Sequence, residues 1–419
     1  MLHYFYVISI LVALLPSISS IPRVPHYELF FIGALGISFT LNPKVFLKRN
    51  FIVIFFLLLL HFIYQSFNIY NEDNARKFTN FIVPILISST YFEYYNLNRS
   101  KSVFFLKTFI AGLIITAITT SIALEFFPDA SRAMAGALSK EGNTELINFY
   151  LTIGVGGYAF SLMWMLTSLF LIYIYVKKGF YFFDRKMIIV FLVIQVYAFY
   201  KMGFTTPLLL FFIAVLALPY KWYLTDFKRS ILSIFFIFFL FSVFSPLIIN
   251  FIYSSADFLK SDFLSPRLTN IAMRLDGSLE STDFSIDIDT KLQDGNQYLG
   301  GYEIRASKSF DAFISNPFFG GGDVGGHNFY LDILGTYGLL GASFIFYIIY
   351  TFYKRSINSI HFEDLKLFYK YSFIFFFVLG VVKTYSLLLF FLYMFVFLPL
   401  LLNWFAEVSF KKLNDQHLY

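Results

Sequence analysis

Twelve apolar runs divide this chain: 4–20, 27–42, 51–67, 78–93, 103–127, 148–176, 187–201, 205–220, 230–252, 328–352, 370–383 and 385–405. A bilayer's hydrocarbon core takes roughly 17–25 apolar residues per helical crossing. No backbone group can be left unpaired there, so such runs must be helices or closed barrels. Soluble domains carry about 25% charged residues, whereas this one carries 14% and is 58% hydrophobic, with a mean hydropathy of +0.69. The pattern predicts an all-α polytopic membrane protein of about twelve transmembrane helices. Very short connectors make tight hairpins of 187–201 with 205–220 and of 370–383 with 385–405. The first run ends in small residues (Ser17, Ser19, Ser20), as a signal peptide would. It lacks a preceding Lys or Arg, so it reads as a retained span.

Basic residues orient such a bundle. With the N-terminus inside, the inner connectors and tail carry 18 Lys and Arg, and the outer ones, leaving out the longest, carry 7. Both termini are therefore expected in the cytoplasm. The chain divides into nine spans over 1–253, a large extracytoplasmic loop over 254–327, and three spans with a cytoplasmic tail over 328–419. The long loop, counted over 254–326, holds six basic and eleven acidic residues, a net charge of −5. The whole-chain charge of +6 sits in membrane-flanking connectors, so it points to no nucleic-acid partner. With no cysteine there is no disulfide framework, thiolate nucleophile or cysteine-ligated metal.

The long loop ends in GGGDVGGHNFYLDILGTYGLLG, residues 320–341. Glycines let a backbone approach a ligand closely, and a helix start offers free N–H groups and a positive dipole end. Gly320, Gly321 and Gly322 leading to His327 and Asn328 thus form a plausible anion site. His327 has the side chain best suited to moving a proton near neutral pH. Upstream, residues 300–316 read as a short amphipathic helix. Tyr302, Arg305 and Lys308 fall on one face. Phe310, Phe313 and Ile314 form an apolar side that either lies on the membrane or caps the bundle. Asn316-Pro317 ends the helix. Taken alone, this is an interfacial helix with snorkelling cations.

Weaker signals surround it. Asp287-Ile288-Asp289 has the DxD spacing of some metal-dependent sugar transferases, but it reads better as a solvated acidic loop. No histidine spacing suits a metal, and no Walker or G-x-S-x-G sequence occurs. Arg132, beside Gly136 and Asn143, and Lys201, in the tiny loop of a hairpin, each read alone as interfacial anchors. Arg267 and Arg274 are further outer cations. No internal repeat or paired broken helix is visible, which counts against an inverted-repeat transporter.

The stretch FDAFISNPFFGGGDVGGHNFYLDILGTYGLLG, 310–341, resembles the signature of the O-antigen polymerase and ligase superfamily. The matching residues are Asn316 to Gly320, His327-Asn328, Leu331 and Gly338 to Gly341. Arg132, Gly136 and Asn143 resemble a second motif of that family. Two positions depart from it: the hairpin reads GFTTP where an arginine is usual, and Tyr302 stands where the loop arginine usually falls, with Arg305 one turn later. The resemblance implies a GT-C-like glycosyltransferase in a bacterial inner membrane that needs no metal or other cofactor. Its donor would be a glycan on undecaprenyl pyrophosphate, and its acceptor a lipid-linked repeat unit or lipid A core. A chain-length regulator is an implied partner. His327 would be the base, with Arg305 beside it. Arg132, Lys201, Arg267, Arg274, Tyr302, Lys308, the three glycines and Asn328 would bind substrate.

Overall fold

The computed structural model describes residues 2–19, 27–41, 72–128, 130–132, 144–176, 185–202, 249–258, 300–321, 324–325, 328–382 and 387–416, with a few isolated positions. These are almost entirely helical, and no strand occurs among them. The helices are α1 (Leu2–Leu14), α2 (Pro16–Ser19), α3 (Tyr27–Leu41), α4 (Glu72–Leu97), α5 (Arg99–Phe126), α6 (Ala130–Arg132), α7 (Thr144–Thr152), α8 (Tyr158–Val176), α9 (Arg185–Lys201), α10 (Gly300–Ser315), α11 (Phe329–Ser359), α12 (Glu363–Val382), α13 (Leu387–Leu392) and α14 (Leu398–Gln416). Among described residues three helices are long and apolar enough to cross a bilayer: Arg99–Phe126, Phe329–Ser359 and Leu389–Glu407. The protein is thus an all-α membrane protein. The expected spans 51–67, 205–220 and 230–252 lie largely outside the described residues. The chain divides into two compact units, Met1–Met202 with Arg305–Tyr419 and Gly203–Ile304; in the second, residues 249–258 are helical.

The core is aromatic and stitched by hydroxyls. Phe105, Phe109, Tyr393 and Phe397 are fully buried, with Phe109 stacked on Phe397 at 4.1 Å. Tyr6 pairs with Ser38 at 2.5 Å, and Thr167 with Tyr393 at 2.9 Å. Water cannot satisfy polar atoms at these depths, so each must find a protein partner. Gly112 lets α1 approach, since a methyl there would stand 3.1 Å from Leu14. The Leu14 carbonyl, freed where α1 ends, accepts the Thr116 hydroxyl at 2.5 Å.

Three helices differ from their expected form because the backbone breaks inside an apolar run. The run 148–176 is two helices, α7 and α8, parted at Gly154, whose φ is +87°. Thr119 donates to the Gly154 carbonyl at 2.8 Å, and Thr120 accepts from the Gly156 amide at 2.8 Å. Between α13 and α14 a π turn covers Tyr393–Phe397. The Leu398 amide reaches back to Tyr393, and the Met394 carbonyl it bypasses accepts the Tyr369 hydroxyl at 3.2 Å. The third break, in α11, shapes the candidate site. Three interrupted helices therefore exist where the apolar runs read as continuous.

Helix direction sorts the charges. α5 runs from Arg99 to Phe126 and α9 ends at Lys201, where the ammonium meets Glu125 at 2.9 Å. The opposite end carries Arg99, paired with Glu407 at 2.9 Å, and Lys366, paired with Glu363 at 2.7 Å.

Candidate functional site

The site is built on a helix folded in the middle. Gly338 has φ +63° and ψ −175° inside α11, a conformation essentially restricted to glycine. The arms turn back toward each other there. The rings of Tyr330 and Phe346 lie 5.9 Å apart, whereas sixteen residues of straight helix span about 24 Å. The short arm, Phe329 to Tyr337, is held against α12. Tyr330 donates to the Phe377 carbonyl at 2.9 Å and stacks on the Phe377 ring, and Gly380 leaves room for its ring.

Folding a helix strands backbone groups, and the loop before α11 satisfies them. The Leu339 amide donates to the Pro317 carbonyl at 2.7 Å, and the Leu340 amide to the Phe318 carbonyl at 3.1 Å. In the other direction, the Gly321 amide donates to the Thr336 carbonyl at 2.9 Å. The loop takes the required shape because Gly320 and Gly321 have φ of +67° and +106°. A methyl on Gly320 would stand 2.6 Å from the Thr336 carbonyl oxygen, and one on Gly338 would overlap the Phe318 carbonyl. Asn316 closes the turn from both ends: its carbonyl accepts the Gly320 amide at 2.8 Å, and its side-chain amide donates to the Gly320 carbonyl at 2.9 Å.

α10 forms as its pattern predicts and stops at Asn316-Pro317. Its face bearing Ser309 and Ala312 is buried. It meets α11 at Gly335, where a methyl would stand 2.8 Å from the Ser309 carbonyl. Phe310 and Ile314 stay exposed, so the capping face is not the apolar one. A buried polar chain joins the three parts. The Gly325 amide donates to the Ser309 hydroxyl at 2.9 Å, and that hydroxyl donates to Asp332 at 2.6 Å. Asn328 caps the short arm, its side-chain oxygen accepting the Tyr330 and Leu331 amides at 3.1 Å each. His327 directly precedes that cap in the chain.

The sequence-predicted residues fare differently. His327, Gly322, Arg267 and Arg274 lie outside the described residues. Arg132, Tyr302 and Arg305 lie on described helical backbone, in α6 and α10, with side chains outside the described set. Lys308 is exposed on α10. Lys201 is engaged with Glu125, which also accepts the Tyr197 hydroxyl, the arrangement of an anchor between two helix ends. Gly320 and Gly321 have their amides taken up by the protein's own carbonyls, so a ligand cradle there would need other groups. Asn328 is the helix cap. Sequence reasoning passed over Ser309 and Asp332. The available signal was an acid in the first turn of a helix, where the dipole favours it.

No protein-family model matches the chain, and no curated protein matches it.

Proposed function

We propose that this protein is a polysaccharide polymerase of a bacterial inner membrane. It transfers a growing glycan from undecaprenyl pyrophosphate to a sugar hydroxyl of a lipid-linked repeat unit. The observation that supports this most is the interdependence of the residues carrying the family resemblance. The Pro317 and Phe318 carbonyls accept the amides stranded by the break at Gly338, Asn316 and Gly320 hold the turn that presents them, and Asn328 caps the arm that the break creates. Residues separated in sequence thus serve one element, which ends directly beside His327.

In the proposed reaction the acceptor hydroxyl attacks the anomeric carbon and gives its proton to His327. The bond from that carbon to pyrophosphate breaks, and undecaprenyl pyrophosphate leaves with the electron pair, inverting the centre. Charge grows on the leaving group, so cations must meet it. Arg305, one helical turn before Ser309, and Lys308 are the nearest in sequence, with Arg132, Arg267 and Arg274 as further candidates. At an effective dielectric of ~20, one contact at 4 Å is worth roughly 4 kcal/mol gross. Two would be comparable to the ~8 kcal/mol at which enzymatic barrier reductions begin. A twelve-span GT-C-like bundle with cytoplasmic termini and the site on the outer face belongs to the same proposal.

A ligase acting on lipid A core is the second reading. It would meet core phosphates with a basic surface, and the long loop's charge of −5 favours the polymerase. Deleting the protein and analysing surface glycan separates them. A single repeat unit on carrier or core marks a polymerase, and free lipid-linked polymer with bare core marks a ligase. His327→Ala should leave the protein inserted and abolish long chains, and an unchanged chain-length ladder would remove His327 from the mechanism. Arg305→Ala should do the same, with only partial rescue by Arg305→Lys.

A further inference from the structure

α10 has three faces. One, with Ser309 and Ala312, is buried. A second carries Lys308, Asp311 and Ser315, all exposed. The third carries Phe310 and Ile314, 49% and 56% exposed, and Phe318 continues it past the Pro turn at 64%. Leu339 and Leu340, also exposed, lie next to its end, where the Leu340 amide is bonded to the Phe318 carbonyl.

We propose that this ridge is a membrane seat: Phe310, Ile314 and Phe318 lie in the acyl-chain region at the edge of the bilayer and hold the loop Asn316–Gly321 at a fixed depth. Three observations select lipid as the occupant. The ridge is continuous with a helix whose length and composition suit a bilayer crossing. The apolar part of the long arm of α11, from Leu339 to Tyr353 just before the connector cations Lys354 and Arg355, is about 21 Å long at 1.5 Å per residue. Measured from its inner end, Leu339 and the adjoining Phe318 fall in the outer third of a hydrocarbon core about 30 Å thick. Finally, the polar face of α10 adjoins the apolar one, the ordering of a helix lying in the interface with its charges toward water. The inference does not depend on the enzymatic reading.

The chain has no cysteine, so single cysteines report without a background. Spin labels at Phe310→Cys, Ile314→Cys, Phe318→Cys, Asp311→Cys and Ser315→Cys, in the full chain reconstituted into phospholipid nanodiscs, are read by power saturation with oxygen and with a water-soluble nickel chelate. The expected result is oxygen-dominated relaxation at 310, 314 and 318 and nickel-dominated relaxation at 311 and 315. Nickel access at 310 and 314 equal to that at 311 would overturn the seat. Loss of access to both reagents would too, because it marks protein contact such as a second copy. As a second measurement, the emission that Phe310→Trp adds over the three native tryptophans, taken as the difference from the unsubstituted protein in the same lipid, should be quenched at least twofold more by lipids brominated on their acyl chains than by unbrominated lipid, and no difference would refute the placement.

Discussion

Replacing Gly338 by alanine tests whether the fold in α11 depends on the loop before it. Keeping the backbone at φ +63° and ψ −175° with a β-carbon costs about 1–3 kcal/mol. The new methyl also overlaps the Phe318 carbonyl, which is backbone and cannot rotate away. The alternative is to release the loop. That forfeits the bonds from Leu339 to Pro317, Leu340 to Phe318 and Gly321 to Thr336. At about 1 kcal/mol net each, release costs roughly 3 kcal/mol. The two costs exclude each other, and the overlap makes release the easier route. Opening at the break should therefore become about 3 kcal/mol easier, on the order of 100-fold. Hydrogen exchange by mass spectrometry on the protein in nanodiscs reads this directly. Peptides covering Gly321 and Leu339–Leu340 should exchange on the order of 100-fold faster, while peptides in α5 should not change. Gly36→Ala is the control: nothing lies within 4 Å of a methyl there, and helix propensity alone should stabilise it by about 0.5–1 kcal/mol. Wild-type exchange at Leu339 and Leu340 in Gly338→Ala would refute the idea that the loop completes the helix.

Other predictions follow the same accounting. Ser309→Ala leaves both Asp332 and the Gly325 amide short of a partner and should destabilise by about 2–4 kcal/mol, while Ser309→Thr should be milder; thermal unfolding in detergent checks both. Lys201→Ala should cost under about 1 kcal/mol, as expected for a half-exposed pair. A double-mutant cycle with Glu125→Gln should show coupling; loss of long glycan chains in Lys201→Ala but not in Glu125→Gln would make Lys201 a substrate ligand instead. Thr120→Val removes the partner of the Gly156 amide and should cost about 1–3 kcal/mol, visible as faster exchange at 153–157.

Local rules carried much of the sequence reading. α10 and its stop at Asn316-Pro317 follow from amphipathic spacing and from proline's effect on its neighbour. The Asn328 cap follows from residue type at a helix start. The break at Gly338 does not, because one glycine in an apolar run costs a helix only about 1 kcal/mol. What makes it break is the set of bonds offered by residues 317–321, about twenty positions upstream. The break at Gly154 had a local sign, the three glycines of 154–157, but the hydroxyls that sustain it are those of Thr119 and Thr120 on another helix. Lys201 looked like an available outer cation for a similar reason: its partner Glu125 is 76 positions away, and no periodicity links them. The glycines of 320–321 were legible as special backbone positions, yet their conformational freedom serves a helix break as readily as a ligand.

The three interruptions inside helices share an order in time. The break at Gly154 is completed by Thr119 and Thr120, the fold at Gly338 by residues 317–321, and the π turn by Tyr369 reaching Met394. In each case the completing group precedes the interruption along the chain. A ribosome makes the completing group before the gap it fills. During insertion each irregular segment can therefore leave the translocon with its partner already synthesised, and no open carbonyl or amide has to wait in lipid for a segment still to come.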